Sequence, residues 1–136
     1  MTLVSAQTFY LRSCLRMLTK LFLPKVPSGV EPKDFNIKEQ EHVFNNAHGG
    51  LQAILELVPT TPKFLLPVLS DHFPYIKKHK IFQTSYIKNL LHITHYLPSL
   101  RKEILECVVN HVTKIDVSTD IIQHIRLFDL DSKVSG

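Results

Sequence analysis

The residues with the clearest chemical potential in this 136-residue sequence are its histidines, two of which stand about one helical turn apart. His92 and His95 could present two imidazoles to a metal ion, since a neutral imidazole is a common metal ligand. The pair lacks the i, i+4 spacing and the glutamate of the HExxH zinc motif, and no third ligand is identifiable. The pattern therefore favours structural histidines and predicts no metal site.

Other catalytic signatures are missing from the sequence. It contains no GxGxxG motif, no P-loop, no nucleophile elbow and no CxxC motif. Glu103 and Glu106 are predicted on the exposed side of a helix, where nothing indicates a perturbed acid and base pair. We therefore predict a protein that is not an enzyme and that uses no catalytic residue, cofactor or small-molecule substrate.

Length and cysteine content predict one small soluble domain. A chain of this size buries roughly two thirds of the surface that its unfolded form exposes, which is enough for a core without disulfides. Cys14 and Cys107 are too few for a secreted disulfide framework, and their apolar neighbours at helical spacing predict two buried thiols. No apolar run approaches the ~18 residues of a membrane span, so no membrane partner is predicted.

The net charge of +4 is spread unevenly along the chain. The first acidic residue is Glu31, and four basic residues precede it. These are Arg12, Arg16, Lys20 and Lys25. A basic, acid-free start is also typical of a mitochondrial transit peptide, although the same residues suit the outer face of a structural helix.

An internal repeat organises the elements that would position these residues. Residues 51–73 align with residues 90–112 at a spacing of 39, with apolar on apolar positions, Pro59 on Pro98 and His72 on His111. This period is typical of HEAT or armadillo hairpins, which bury their apolar faces by stacking on neighbours. The sequence therefore predicts an all-α fold, a HEAT-like α-solenoid fragment. The repeated histidine predicts a packing or helix-end role, since a catalytic residue is rarely needed twice.

Apolar periodicity and proline positions predict about five main helices. They cover about residues 10–23, 39–57, 62–73, 82–96 and 100–115, with a Pro-rich loop at about 24–38. The first helix is predicted to bury Tyr10 and Cys14, whereas Asn89 lies off the buried stripe of the fourth. We predict a helical-repeat domain over residues 1–117, followed by a short helix or disordered tail over 118–136.

Three local features concern helix ends and continuity. Gly49 and Gly50 cost a helix ~2 kcal/mol relative to two alanines, which predicts a bend or a fresh start in the second helix. Thr61, which precedes a proline at the first helical position, and Ser99 are each predicted to cap the helix that follows. The Thr61-Pro62 pair also fits a proline-directed kinase, but the cap is the stronger interpretation.

Residues 74–80 form the most basic short run of the chain. A solvated loop between repeats is the default interpretation of such a cluster, and a surface for phosphate or an acidic partner is the sharper one. The candidate partner-binding residues are Lys77, Lys78, Lys80, Lys88, Arg101 and Lys102.

Several motifs in the repeat region are jointly specific. They are V-P-x-T-P-x-F-L-x-P at 58–67, the pair Phe73-Pro74, Y-x-x-N-L-L at 86–91 and Y-x-P-x-L-R-x-E-I-L-E at 96–106. In this order and spacing, the sequence resembles the RNA polymerase I-specific transcription initiation factor family, also known as TIF-IA. The resemblance covers about residues 3–117.

The resemblance implies a non-enzymatic HEAT-repeat protein of the nucleus and nucleolus. Such a protein binds RNA polymerase I and links it to promoter-bound initiation factors at ribosomal RNA genes. We therefore predict an adaptor that helps to recruit the polymerase, with the six basic residues above as rim contacts. Direct DNA binding is not expected, because few aromatic residues lie among the basic ones to stack on bases.

Two alternatives remain open at this point. The chain could be a truncated paralogue without independent activity, since family members are several times longer. It could also be a weak, non-specific nucleic-acid binder that uses the same lysines. In that case its affinity would fall steeply with salt, because phosphate contacts release counterions.

Overall fold

The computed structural model describes residues 3–115 together with 123, 125 and 126, and for residues 3–6 it describes the backbone alone. All of the regular secondary structure in this described part is helical. Its five α-helices are α1 (Leu3–Lys20), α2 (Glu41–Leu57), α3 (Thr61–Asp71), α4 (Lys80–Tyr96) and α5 (Arg101–Val112). Short 3-10 helices cover Pro32–Asp34, Ile37–Gln40 and Pro98–Leu100. The all-α prediction is confirmed, and the predicted tail over 118–136 lies almost wholly outside the described residues.

The 39-residue period is visible in the bounds of the helices. Adding 39 to the bounds of α2 gives those of α4, and α5 begins one residue later than the same shift of α3 predicts. The two hairpins lie side by side, with α2 against α4 and α3 against α5, while α1 packs on both helices of the first hairpin. This is a helical-repeat arrangement, in which each hairpin buries its apolar face against a neighbour.

The core is continuous across the two hairpins and α1. It is built from fully or almost fully buried apolar side chains of all five helices and of the segment after α1. The largest are Leu15, Phe22, Leu51, Leu65, Leu69, Tyr86, Ile87, Leu90, Leu91, Ile93, Ile104 and Val108. Helix α4 supplies the most of these because it lies between α2 and α5. None of the described helices combines the length and the apolar character that crossing a membrane would require.

Helix α1 buries a narrower face than its sequence predicts. The chain leaves the α-helix at Lys20 and turns through residues 21–23 before Pro24, which has no N–H to continue the helix. Leu15 and Phe22 are fully buried, but Tyr10 is 67% exposed and Cys14 is also exposed. The prediction that Tyr10 and Cys14 are buried is therefore wrong, because the first hairpin covers α1 from one side.

Helix α2 runs through both of its glycines without interruption, so the predicted bend or fresh start is wrong. A Cβ on Gly50 would lie 3.2 Å from Cδ2 of Leu18 on α1, whereas a Cβ on Gly49 would meet open space. The glycine at position 50 therefore allows the close approach of α1 to α2. Packing against α1 offsets the weak helix propensity of the pair.

Neither of the two predicted threonine and serine caps forms. The cap position of α3 is Thr60, and the Thr61 hydroxyl instead donates a 2.6 Å hydrogen bond to the carbonyl of Val58. Ser99 is exposed within the 3-10 helix before α5 and makes no cap. Backbone carbonyls of the preceding turns accept hydrogen bonds from the first N–H groups of both helices. Few N–H groups therefore remain for a side-chain cap to satisfy. Thr61 is fully buried, which also opposes its interpretation as a kinase site.

Candidate functional site

The turn between α3 and α4 presents the most basic exposed segment of the described chain. Residues 75–80, called the basic turn below, are all exposed. Three of them, Lys77, Lys78 and Lys80, carry positive charge. Two large apolar side chains stand beside them, since Tyr75 is 64% exposed and Ile76 is 44% exposed. The turn therefore combines charge with apolar surface, a combination that is typical of protein interfaces.

The backbone of the basic turn is held in one conformation by several hydrogen bonds. The carbonyl of Tyr75 accepts from the N–H of Lys78 at 2.9 Å and from Nε2 of Gln83 at 2.8 Å. Nδ1 of His79 accepts from the N–H of Ile81 at 3.2 Å, so the imidazole caps α4. This ordering reduces the entropy that the turn would lose when it binds a partner.

His111 links the basic turn to α5. The side-chain amide of Gln83 donates through Nε2 to the carbonyl of Tyr75. The Oε1 of the same amide therefore accepts a hydrogen bond from the Nε2–H of His111, 2.7 Å away. The imidazole also stacks on the ring of Phe73, with centroids 4.3 Å apart. Burial lowers the pKa of His111, and Lys114 lowers it further, so the ring is neutral near pH 7 and fits this hydrogen-bond pattern.

His72 holds the end of α3 in a comparable way. It occupies the C-cap position, and its Nδ1 lies 2.5 Å from the Thr19 hydroxyl on α1. Burial lowers the pKa of His72, with a smaller contribution from the positive charge of Lys20. His72 and His111 therefore each join a helix end to a neighbouring helix. The packing role predicted from their shared position in the repeat is confirmed.

The six predicted binding residues occupy three separate places. Lys77, Lys78 and Lys80 share the basic turn, and Lys88 stands on the exposed side of α4 beside a shallow groove against α2. Arg101 and Lys102 begin α5, beyond the far end of α4. A 17-residue helix is about 26 Å long, so these two lie far from the basic turn. The basic turn alone brings three of the six together, and their role in binding stays a prediction.

The paired histidines of α4 belong to an aromatic and polar cluster. The rings of His92 and His95 lie 5.8 Å apart, and His92 also packs 4.3 Å from the ring of His48 on α2. Burial lowers the pKa of His92, and His95 lowers it further. Across residues 3–115, 123, 125 and 126, no group of three or more histidine, cysteine or acidic side chains could hold a metal ion.

The most connected buried polar groups were missed by the sequence prediction. His48 contacts Tyr96 through Nδ1 and Asn89 through Nε2, and Asn89 in turn reaches the carbonyl of Phe22. Asn89 is buried, so its predicted position off the buried stripe is wrong. The reason is that α2, α4 and the segment after α1 meet there. The one available signal is that residue 89 occupies the repeat position of Gly50, where the other hairpin has no side chain.

Stacked hairpins, with histidines that join helix ends to neighbouring helices, define a helical-repeat protein. A family model described as RNA polymerase I specific transcription initiation factor RRN3 matches residues 1–135. The chain belongs to this family, which confirms the resemblance found in the motifs.

Individual relatives agree with this assignment. The chain is 40% identical over 122 residues to the mouse RNA polymerase I-specific transcription initiation factor RRN3, which covers 85% of this chain and 19% of the mouse protein. It is 31% identical over 119 residues to the factor rrn3 of Schizosaccharomyces pombe, covering 88% of this chain and 18% of that protein. It is 30% identical to the human putative RRN3-like protein RRN3P2 over 85% of this chain and 29% of that protein. The chain thus spans less than a third of each of these relatives, and no solved structure matches it.

Proposed function

We propose that this chain is a non-enzymatic binding module that acts in the initiation of transcription by RNA polymerase I. Membership of a family of polymerase I initiation factors is the observation that carries the proposal. In this role the chain binds RNA polymerase I and helps to recruit it to ribosomal RNA gene promoters through promoter-bound factors. It would therefore work in the nucleus, within the nucleolus.

The basic turn is the surface that we propose for the polymerase. Tyr75 and Ile76 offer an apolar centre, and Lys77, Lys78 and Lys80 surround it with positive charge. Exposed aromatic residues within a polar rim are typical of the positions that dominate binding energy. Positive rim charges would also speed association with an acidic patch on the polymerase. Lys88, Arg101 and Lys102 are proposed as outer contacts.

A direct binding experiment tests this function. The purified, fluorescently labelled chain is titrated with RNA polymerase I, and RNA polymerase II serves as the control, at moderate salt. Selective binding to RNA polymerase I supports the proposal. If a chain that unfolds cooperatively binds neither polymerase, the proposal is wrong and the family relationship shows the fold alone.

Matched charge reversals test the surface. One variant replaces Lys77, Lys78 and Lys80 with glutamate, and the control variant replaces three exposed lysines of residues 25–38 in the same way. These control residues are Lys25, Lys33 and Lys38. Both variants change the net charge equally, so a general charge effect would lower the affinity of both for RNA polymerase I by a similar factor. We expect only the basic-turn variant to lose affinity for RNA polymerase I, and equal losses would contradict the choice of surface.

A further inference from the structure

An apolar groove lies between the first half of α1 and the turn that joins α2 to α3. Its volume is about 750 Å³. The apolar side chains that line it include Tyr10, Leu11, Ile54, Leu57, Val58 and Phe64. The groove shares no residue with the basic turn.

Large apolar side chains at this groove face solvent. Leu57, the last residue of α2, is 80% exposed, and Tyr10 is 67% exposed. Phe9 is 62% exposed and packs edge-on against Tyr10, with ring centroids 5.8 Å apart. Single exposed apolar residues are ordinary, but a group of them beside a concave apolar surface is typical of a binding site.

Positive charge lies at the groove. Lys63 lines it, and the guanidinium of Arg12 lies 5.2 Å from the centroid of the Phe64 ring. The described residues that line the groove include no aspartate or glutamate, and α1 contains none from Leu3 to Lys20. An occupant with acidic side chains would therefore gain attraction on entering, whereas a basic occupant would be repelled.

We propose that this groove binds an amphipathic helix of a partner protein, with leucine or aromatic residues on one face and acidic residues along its edges. The apolar face would enter between Tyr10 and Leu57, and the edge carboxylates would approach Arg12 and Lys63. Helix-in-groove binding uses apolar anchors at i, i+3, i+4 and i+7, a spacing that a groove between helical elements suits. This inference does not depend on the proposed function, since the basic turn is a separate surface.

Two synthetic peptides test the proposal by fluorescence polarisation. The acidic probe is a fluorescein-labelled amphipathic helix of about 16 residues, or roughly four turns, with leucines on one face and glutamates at the edges. The control probe has lysines in place of the glutamates. We expect the acidic probe to bind at least about fivefold more tightly than the control probe, which corresponds to one favourable ion pair of ~1 kcal/mol. Equal affinities, or no binding of the acidic probe, would overturn the proposal.

Surface variants connect the binding to this groove. Lys63→Glu and Leu57→Ser change exposed residues, so both variants are expected to fold. Each should lower the affinity for the acidic probe by about fivefold or more. Lys25→Glu makes the same charge change as Lys63→Glu on an exposed residue outside the groove, and it should leave the affinity unchanged. If Lys63→Glu and Leu57→Ser bind the probe as the unmodified chain does, the groove is not the site.

Cys14 provides an independent readout of position, since it is exposed and lines the groove. Burial raises the pKa of the Cys107 thiol, and Cys107→Ser leaves Cys14 as the one cysteine of the chain. We expect the acidic probe to slow alkylation of Cys14 by iodoacetamide, because the bound helix covers the thiol. Probe binding without this protection would overturn the proposal. So would a dimer, detected by sedimentation velocity, that Leu57→Ser converts to a monomer, because a second copy would then occupy the groove.

Discussion

His48 on α2 and Asn89 on α4 form the centre of a directed chain of hydrogen bonds. The Tyr96 hydroxyl donates to Nδ1 of His48 at 2.6 Å, and Nε2–H of His48 donates to Oδ1 of Asn89 at 3.1 Å. Nδ2 of Asn89 then donates to the carbonyl of Phe22 at 2.9 Å. The chain joins α2, α4 and the segment after α1, and it requires a neutral imidazole with its proton on Nε2.

The substitution Asn89→Ala should strongly destabilise the fold. It leaves the Nε2–H of His48 and the carbonyl of Phe22 without partners in a buried site, and each such group costs ~1–3 kcal/mol. We expect the free energy of unfolding in urea to fall by about 2–4 kcal/mol. Asn46→Ala, on the exposed side of α2, is the matched control and should change it by less than about 0.5 kcal/mol. A loss as small as that of the control would contradict the importance of the hydrogen-bond chain.

Stability should decrease when the pH falls from about 6.5 to about 4. Burial and, to a smaller extent, the charge of nearby His92 lower the pKa of His48 from its ordinary value of 6.5 to about 4, although the hydrogen bond to Asn89 opposes the shift. Within that window the unfolded chain binds a proton that the native chain does not, so acid favours unfolding. His48 alone accounts for up to about 3 kcal/mol.

The pH dependence is measured by urea unfolding between about pH 7 and pH 4. His48→Gln should flatten the dependence in this window, and His42→Gln, at an exposed position of the same helix, should leave it in place. Burial also lowers the pKa values of His72, His92 and His111, so part of the slope should remain in the His48 variant. An unchanged slope in His48→Gln would show that His48 does not titrate as expected.

The hydroxyl of Thr61 should stabilise the turn before α3. Thr61→Val keeps the buried shape but removes the 2.6 Å hydrogen bond to the carbonyl of Val58, at an expected cost of ~1 kcal/mol. In a domain of this size that loss lowers the Tm by about 3–5 °C in a thermal melt. Thr61→Ser, which retains the hydroxyl, is the control for the hydrogen bond. An equal Tm for the valine variant and the unmodified chain would show that the hydroxyl does not stabilise this turn.

The two glycines of α2 should respond differently to alanine. Gly49→Ala adds a Cβ in open space and should raise the free energy of unfolding by about 0.5–1 kcal/mol through helix propensity. Gly50→Ala gains the same propensity but places its Cβ 3.2 Å from Leu18, so its net gain should be smaller or negative. Urea unfolding of both variants measures the difference. A larger gain at position 50 would mean that α1 does not pack this closely on α2.

Local sequence patterns were sufficient to predict the helices. Apolar spacing and prolines act within a few residues, and they gave α2 to α5 with bounds within a few residues of those observed, as well as the turn that carries Lys77, Lys78 and Lys80. The 39-residue period also predicted that α2 and α4 occupy equivalent positions, because equal apolar patterns require equal burial. Family membership followed from the motifs that lie on this repeat.

The tertiary structure decided which faces are buried and which polar groups meet. The sequence placed Tyr10 and Cys14 on the apolar side of α1, but the packing of one hairpin against one side of that helix leaves both exposed and opens the groove beside Leu57. It placed Asn89 away from the core, yet three segments converge there and bury it against His48. Helix formation depends on neighbours in the chain, which local sequence patterns show. Burial and side-chain hydrogen bonding depend on neighbours in space, which those local patterns do not show.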